Sequence, residues 1–222
     1  MSFGKQITEA LGRAPSVGAE ALSCLELLDG LVTTFDRAAG LTSFRSDEER
    51  IRRYFAEPLA AVDWMPESGL VIDIGSGGGS PALPMAIARP RLEWVLVEAN
   101  AKKVIFLEEA VRTLGLERVR VHRGRYEAME SPKSTDLVTC RAVKLESKSQ
   151  RKIVSSLRAG GRFLWFGAEK RLLSARSDLT LYEELNVDLP RPLLRTNPIQ
   201  LSGWLMVTEK RPSPACPFNC FT

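Results

Sequence analysis

Two acidic residues and a run of glycines between them have the spacing of a nucleoside-binding site. In VIDIGSGGGSPALPMAIARP, residues 71–90, Asp73 stands two positions before Gly75, and four glycines fall within five residues. Glu98 ends the next apolar run. A glycine-rich turn lets a ligand approach the backbone, one acid can hold a cationic amino group, and a second acid can bind a ribose diol. This combination is typical of enzymes that use S-adenosylmethionine, although Asp73 could instead be a buried aspartate that caps the loop.

The same loop also fits a dinucleotide fingerprint. Gly77, Gly79 and Ala82 match G-x-G-x-x-A, so a nicotinamide oxidoreductase is one alternative. Asp73 argues against it, because a pyrophosphate would be repelled where a cationic amino group would be attracted. The two prolines of PALP also remove N–H groups from the helix start, where a pyrophosphate docks. We therefore expect S-adenosylmethionine rather than NAD as the cofactor.

Alternating strand and helix patterns predict the scaffold for this loop. The predicted strands are LVIDI, EWVLVE, RVRVHR, TDLVTC and RFLWFG. Helical patterns lie between them in PALPMAIA, capped by Ser80, in AKKVIFLEEAVRTLG, and in SKSQRKIVSSLRAGG with its closing Gly pair. This order predicts an α/β fold with a parallel sheet, in which ligands bind at the carboxyl ends of the strands. LYEELNVDLP and GWLMVTEK are predicted to add two more strands.

The chain before the sheet has helical patterns. Four apolar residues share one face of a predicted helix: Leu25, Leu28, Val32 and Phe35. Ser46 and Glu49 form a capping box at the start of a second helix, which should end before Pro66. We expect the polar, proline-containing tail at 212–222 to be flexible. The close cysteines Cys216 and Cys220 there are either a metal or redox pair or two reduced thiols, and we predict no metal site.

The charge of the chain is unevenly distributed. The formal net charge is +4 and the sequence pI is about 9.0. Residues 141–176 contain ten Lys or Arg and two Glu, which suits a polyanionic partner. A solvated helical face is the alternative for this basic segment. No apolar run reaches the roughly 20 residues of a membrane span, and the N-terminus lacks a secretory pattern, so we expect a cytoplasmic protein.

Four motifs in order resemble one known family. They are GLTSFRSDEERIRRYFAEPL, VIDIGSGGGSPALPMAIARP, LVEANAKKVIFLEEAVRTLGLERVRVHRGRYE and TDLVTCRAV. Over roughly residues 35–167 they are similar to the GidB family, the bacterial small-subunit ribosomal RNA guanine-N7 methyltransferases. The resemblance implies a seven-stranded Rossmann-like methyltransferase sheet with an N-terminal helical extension. We place the extension at 1–66 and the S-adenosylmethionine-dependent methyltransferase domain at 67–211.

The resemblance also implies site residues. Together with the acids above, the expected cofactor-binding set is Asp73, Gly75, Ser76, Gly77, Ser80, Glu98, Tyr126, Glu127 and Arg141. Arg141 is also the candidate catalytic residue, since it should stand where acceptor and cofactor meet and bind the acceptor or its phosphate. A structural salt bridge from Arg141 to Asp73 or Glu127 is the alternative. The chain departs from the family at YFAEPL, where a His-Ile-Leu-Asp-Ser-like stretch is usual, at FGAEK, where Lys-Gly is usual, and at Ser80, where a bulkier residue is usual.

The expected chemistry needs few protein groups. A purine N7 carries a free lone pair, so methyl transfer to it requires no general base and depends on proximity and alignment. The expected partner is ribosomal RNA or the small ribosomal subunit, bound by a monomer. Three alternatives remain beside the oxidoreductase: methylation of a different RNA position, methylation of a small molecule or protein, and a non-catalytic module that binds RNA or a nucleotide.

Overall fold

The computed structural model describes the chain up to Gly167 with short gaps, and two segments beyond it. The described residues are 1–39, 41–130, 132, 134–143, 145–167, 191–192 and 204–211. Several predicted features lie outside them: the strand LYEELNVDLP, the tail at 212–222 with Cys216 and Cys220, the AEK of FGAEK, and four cations of the basic segment, Lys144, Lys170, Arg171 and Arg176.

Five parallel strands form the sheet, which confirms the predicted α/β class. They are β1 (Gly69–Ile74), β2 (Leu92–Glu98), β3 (Val119–Arg123), β4 (Thr135–Arg141) and β5 (Leu157–Gly167). Their order is β3-β2-β1-β4-β5, with β1 paired to both β2 and β4. Two antiparallel strands follow: β6 (Arg191–Pro192) pairs with β7 (Trp204–Glu209), which pairs with β5. The chain changes direction across the sheet between β1 and β4, where parallel sheets bind ligands.

The central strands are buried on both faces. In β1 the residues from Val71 to Ile74 are all buried, and in β4 so are those from Leu137 to Cys140. A continuous buried run of this kind is expected where helices cover both faces of a parallel sheet. The exception to the apolar pattern in β1 is Asp73, a carboxylate within the core.

Seven α-helices are described. They are α1 (Phe3–Leu11), α2 (Ala19–Ala39), α3 (Asp47–Arg50), α4 (Glu57–Ala60), α5 (Ala82–Ala88), α6 (Ala101–Thr113) and α7 (Ser147–Ser156). A π-helical turn, Ile51–Ala56, joins α3 and α4 into one helical run, and 3-10 turns occupy Val62–Trp64 and Tyr126–Ala128. None of these helices is both long and apolar enough to cross a membrane.

The helices before β1 confirm the sequence patterns. Leu25, Leu28 and Val32 of α2 are fully buried, in one core with residues of the sheet and of α5. Ser46 caps the helix as predicted, because the Glu49 backbone N–H donates to Ser46 Oγ at 3.1 Å, while the Glu49 carboxylate accepts the N–H of Arg45 at 2.9 Å rather than that of Ser46. The N-terminal helices therefore cover one face of the sheet and place the helical run close to the loop after β1.

Two predicted helix ends are wrong. Ser80 does not cap α5; its hydroxyl donates to the Tyr54 carbonyl at 2.9 Å. The helix α7 ends at Ser156, before the Gly pair. Gly160 and Gly161 belong to β5 because their backbone groups bond to Lys210 beside them, at 2.8 and 2.9 Å, instead of closing a helix.

Candidate active site

The loop after β1 turns through three glycines with positive φ. The angles are +67° at Gly75, +57° at Gly77 and +92° at Gly79. A Cβ at Gly75 would lie 2.7 Å from Val143 Cγ2, and one at Gly79 would lie 2.4 Å from Leu83 Cδ1. A Cβ at Gly77 would have no protein neighbour closer than 3.7 Å. Gly75 and Gly79 are thus required by packing, whereas Gly77 leaves space beside the loop.

A cavity of about 360 Å³ occupies that space. It lies at the carboxyl ends of β1 and β4, the place where a doubly wound sheet binds its ligand. Six of the predicted site residues line it: Gly75, Ser76, Gly77, Ser80, Glu98 and Arg141. Asp73, Tyr126 and Glu127 are not among the lining residues. The structure therefore brings six of the nine predicted residues together around the cavity and leaves the other three outside its lining.

Asp73 lies beneath the loop and is fully buried. The Thr139 hydroxyl donates to its Oδ1 at 2.6 Å, while its Oδ2 has no partner in the described part of the chain. Burial raises the pKa of the Asp73 carboxyl to about 6, against the lowering effects of the Thr139 and then the Ser76 hydroxyl; the Ser76 hydroxyl donates to the Asp73 backbone carbonyl at 3.2 Å. A buried carboxylate oxygen without a donor is costly, and a cation reaching it would remove that cost.

Glu98 shapes the loop from the neighbouring strand. Its Oε2 accepts the Gly77 N–H at 2.8 Å, and its Oε1 accepts the Asn100 N–H at 2.7 Å. The carboxylate is almost buried, yet it lines the cavity. Because an ionised carboxylate has about four acceptor positions, it can hold both amides and still accept from hydroxyl groups of a ligand. This geometry is compatible with the predicted ribose contact.

Arg141 forms a buried ion pair, but not with either partner of the salt-bridge alternative. Its Nη1 lies 2.9 Å from Glu57 Oε2, not against Asp73 or Glu127. The guanidinium lies 5.0 Å from the centre of the Phe166 ring. Burial lowers the pKa of Arg141, and the Glu57 charge opposes this. Within the described residues, the Nε and Nη2 atoms have no hydrogen-bond partner, so Arg141 keeps donors for a ligand.

Tyr126 and Glu127 form the 3-10 turn after β3. The Tyr126 ring is buried, and the Glu127 carboxylate accepts the Ser149 hydroxyl at 2.8 Å. The Glu127 backbone N–H, and then this hydroxyl, lower the pKa of Glu127. Lys152 Nζ donates to the carbonyls of Tyr126 and Glu127 at 2.8 and 2.9 Å. The helix α7 thus holds this turn in place through Ser149 and Lys152.

Much of the basic segment is bonded within the chain. Besides Arg141 and Lys152, Arg158 pairs with Asp136 and Arg162 pairs with Glu209. Lys152 cannot donate the same N–H groups to a phosphate while it caps these carbonyls. The charge of the segment is therefore a weaker argument for a polyanionic partner than the sequence suggests.

Residues of the helical run, and Phe44 just before it, also contribute to the site, and the sequence analysis did not predict them. The Tyr54 hydroxyl donates to the Gly78 carbonyl at 2.7 Å, and Arg53 and Phe44 line the cavity. Tyr54 and Glu57 both lie in YFAEPL, the stretch in which the chain departs from the family pattern. The departure from the family pattern was the signal in the sequence that could have pointed to these residues, because a segment that faces the site can change together with the residues it contacts.

Comparison with known proteins identifies the family of this chain and solved structures that share its fold. The family model GidB, described as rRNA small subunit methyltransferase G, matches residues 22–185. The chain belongs to the GidB family. One relative, the ribosomal RNA small subunit methyltransferase G of Neisseria meningitidis, is 37% identical over 112 residues, which are 50% of this chain and 54% of that protein. The chain spans about half the length of such curated relatives.

Solved structures share the fold of this GidB family member. A protein of Methanococcus maripaludis, described as an S-adenosyl-L-methionine-dependent methyltransferase, has a TM-score of 0.60 at 14% identity, over 83% of this chain and 94% of that one. M. jannaschii TYW2 in complex with AdoMet has a TM-score of 0.53 at 19% identity, over 69% and 72%. At such identities the likeness shows the methyltransferase-like α/β fold alone.

Proposed function

We propose that this protein is an S-adenosylmethionine-dependent methyltransferase that acts on N7 of a guanine in small-subunit ribosomal RNA. The observation that carries the proposal is the cavity at the β1–β4 switch point, with the unpartnered Asp73 Oδ2 beneath it and unpartnered Arg141 donors beside it. Membership of the GidB family supports the reaction and the RNA substrate. The proposal includes a seven-stranded Rossmann-like sheet in a domain at 67–211, with a helical extension at 1–66.

The proposed cofactor contacts follow from the positions of Asp73, Glu98 and the glycine-rich loop after β1. Asp73 would hold the cationic amino group, which would supply the donor that its Oδ2 lacks. Glu98 would hold the ribose diol from the end of β2, while Gly77 leaves room for the ligand against the backbone. Tyr126 and Glu127 would complete the set from the turn that α7 holds in place.

The chain's own residues orient the reaction rather than take part in proton transfer. S-adenosylmethionine supplies an electrophilic methyl group when it is bound. The N7 lone pair of guanine would bond to that carbon as the carbon–sulfur bond broke with its electrons left on sulfur, so no protein base would be needed. Arg141, which lines the cavity, would hold the acceptor through its buried, unpartnered N–H groups. In this account the protein works as a monomer on ribosomal RNA or the small ribosomal subunit.

Methyl transfer to defined acceptors tests the proposal. Ribosomal RNA and small subunits from a strain lacking this gene are incubated with the protein and methyl-labelled S-adenosylmethionine, and the labelled base is identified. We expect 7-methylguanine at one site of small-subunit RNA. Label in another base, or in none, would contradict the assignment. Calorimetry with S-adenosylmethionine and NAD decides the cofactor, and tighter binding of NAD would favour the oxidoreductase.

A further inference from the structure

An aromatic and cationic wall closes the cavity on its N-terminal side. Phe44 is half-buried and lines the cavity, with the Arg53 guanidinium carbon 5.9 Å from its ring centre. The Tyr54 ring meets it edge-on, at a centroid distance of 6.3 Å and an interplanar angle of 79°. The cofactor contacts proposed above use neither Phe44 nor Arg53.

The wall is held against the glycine loop. An added Cβ at Gly78 would lie 3.2 Å from Thr42 Cγ2 and 3.3 Å from the Leu41 carbonyl, so the segment before Phe44 packs on the loop. The Tyr54 hydroxyl fixes the same glycine through its carbonyl. A ring at position 44 is therefore positioned by contacts on both sides, as a stacking surface requires.

The wall also lies on the acceptor side of the cavity. Arg53 lies four residues before Glu57 in the same helical run, and Glu57 pairs with Arg141 at 2.9 Å; the Arg53 charge also contributes to the lowered pKa of Arg141. Arg141 ends β4, whereas Glu98 ends β2, on the other side of β1. A ligand group near Arg53 would therefore lie on the opposite side of β1 from the proposed ribose site at Glu98.

We infer that Phe44 and Arg53 form the platform for the acceptor base, with the purine stacked on the Phe44 ring and a neighbouring phosphate bound by Arg53. The inference rests on the proposed function and names the place of its acceptor. Aromatic rings bind unstacked bases through their faces, and a guanidinium binds phosphate through paired N–H donors. Glu49 holds Arg53 through Nη1 at 2.8 Å, which leaves the other donors of the guanidinium for a ligand.

A matched pair of variants tests the platform. Phe44→Leu removes the ring face, and Phe35→Leu makes the same change at another half-buried phenylalanine, which has an edge-on partner, Phe106, and does not line the cavity. We expect Phe44→Leu to raise the RNA KM by roughly 5- to 150-fold, the range for losing one base–aromatic stack, with S-adenosylmethionine affinity within about twofold. Phe35→Leu should change neither. An unchanged RNA KM, or an equal loss of cofactor affinity, would overturn the inference.

A second measurement is independent of catalysis. In Phe44→Trp the new indole should be quenched by guanosine 5′-monophosphate and not by ribose 5-phosphate, after subtraction of the wild-type signal. Equal signals with both ligands would refute the platform. If the wild type methylates no RNA, the proposed function fails, and the quenching result still decides whether a purine stacks at position 44.

Discussion

Arg141, at the end of β4, and Glu57, at the start of α4, form an ion pair that is almost fully removed from solvent. Nη1 and Oε2 are 2.9 Å apart, and the two side chains are 15% and 3% exposed. The partners are 84 positions apart in the chain. The cavity wall is therefore built jointly by the N-terminal helical run and the sheet, and Arg141 is held in place by a residue outside the proposed methyltransferase domain at 67–211.

Removing one partner of this pair should leave a buried charge without compensation. We expect Glu57→Gln to lower the free energy of unfolding by about 3 kcal/mol, because breaking buried pairs typically costs 3–5 kcal/mol and Gln keeps one acceptor. Urea denaturation measures this. In the double variant Glu57→Gln with Arg141→Met, stability should largely return while methyl transfer stays low. Simple addition of the two losses would contradict a coupled pair.

The buried Asp73 predicts opposite effects on stability and on ligand binding. Its pKa is raised from 3.8 to about 6, so the folded carboxyl holds its proton more tightly than the unfolded one. The contribution of this carboxyl to stability is therefore fully present below about pH 4 and is lost as the pH rises through about 6, by up to ~3 kcal/mol for a shift of two units. Asp73→Asn should be more stable than the wild type at pH 7.5 without ligand, and similar below pH 4.

The same variant should bind S-adenosylmethionine more weakly. Loss of a charge-assisted hydrogen bond costs about 1.5–3 kcal/mol, or roughly 10- to 150-fold in affinity. In the wild type, affinity should fall as the pH drops below about 6, where Asp73 becomes protonated. Calorimetry across pH 5–8 checks both statements. If Asp73→Asn showed the same pH dependence as the wild type, Asp73 would not be the group that binds the cofactor.

Two glycines of the loop should respond differently to alanine. Gly77→Ala places its Cβ in the cavity at φ +57°, so we expect a stability loss of only about 1–2 kcal/mol but strongly weakened cofactor binding. Gly79→Ala places its Cβ 2.4 Å from Leu83 Cδ1 and 2.9 Å from Tyr54 Oη, so we expect a loss of about 3 kcal/mol or more. Thermal unfolding and calorimetry separate the two. If folded Gly77→Ala bound S-adenosylmethionine normally, the cofactor would not lie against Gly77.

Local patterns predicted the elements well, and long-range contacts account for what they missed. The apolar run of β1 and the Ser46 helix cap can be predicted from sequence because each depends on neighbouring residues. The Glu57–Arg141 pair depends on how the helical run packs on the sheet, which spacing cannot show. The predicted end of α7 was wrong because the Gly pair bonds to Lys210, which directly follows β7 and is far along the chain.

Lys152 shows the same limit for a charged residue. Its sequence position, in a basic segment on α7, indicates a phosphate contact. In the structure its ammonium group instead caps the carbonyls of the turn that contains Tyr126 and Glu127. The residue type gives the charge of a side chain, but only the fold determines whether the charged group is exposed to solvent or bonded to the backbone.

Lys152 and Lys148 therefore form a matched pair on one helix for the last prediction. Lys148 is exposed on α7, and Lys152 is half-buried against the turn. Lys152→Ala should lower the melting temperature and weaken S-adenosylmethionine binding, because three described carbonyls lose a donor. It should leave the slope of log RNA affinity against log salt unchanged. Lys148→Ala should leave melting and cofactor binding unchanged and, if this face binds RNA, flatten the slope by roughly 0.7–0.9, the value for one phosphate contact. A flattened slope for Lys152→Ala without loss of cofactor affinity would reverse the assignment and return Lys152 to the RNA-binding surface.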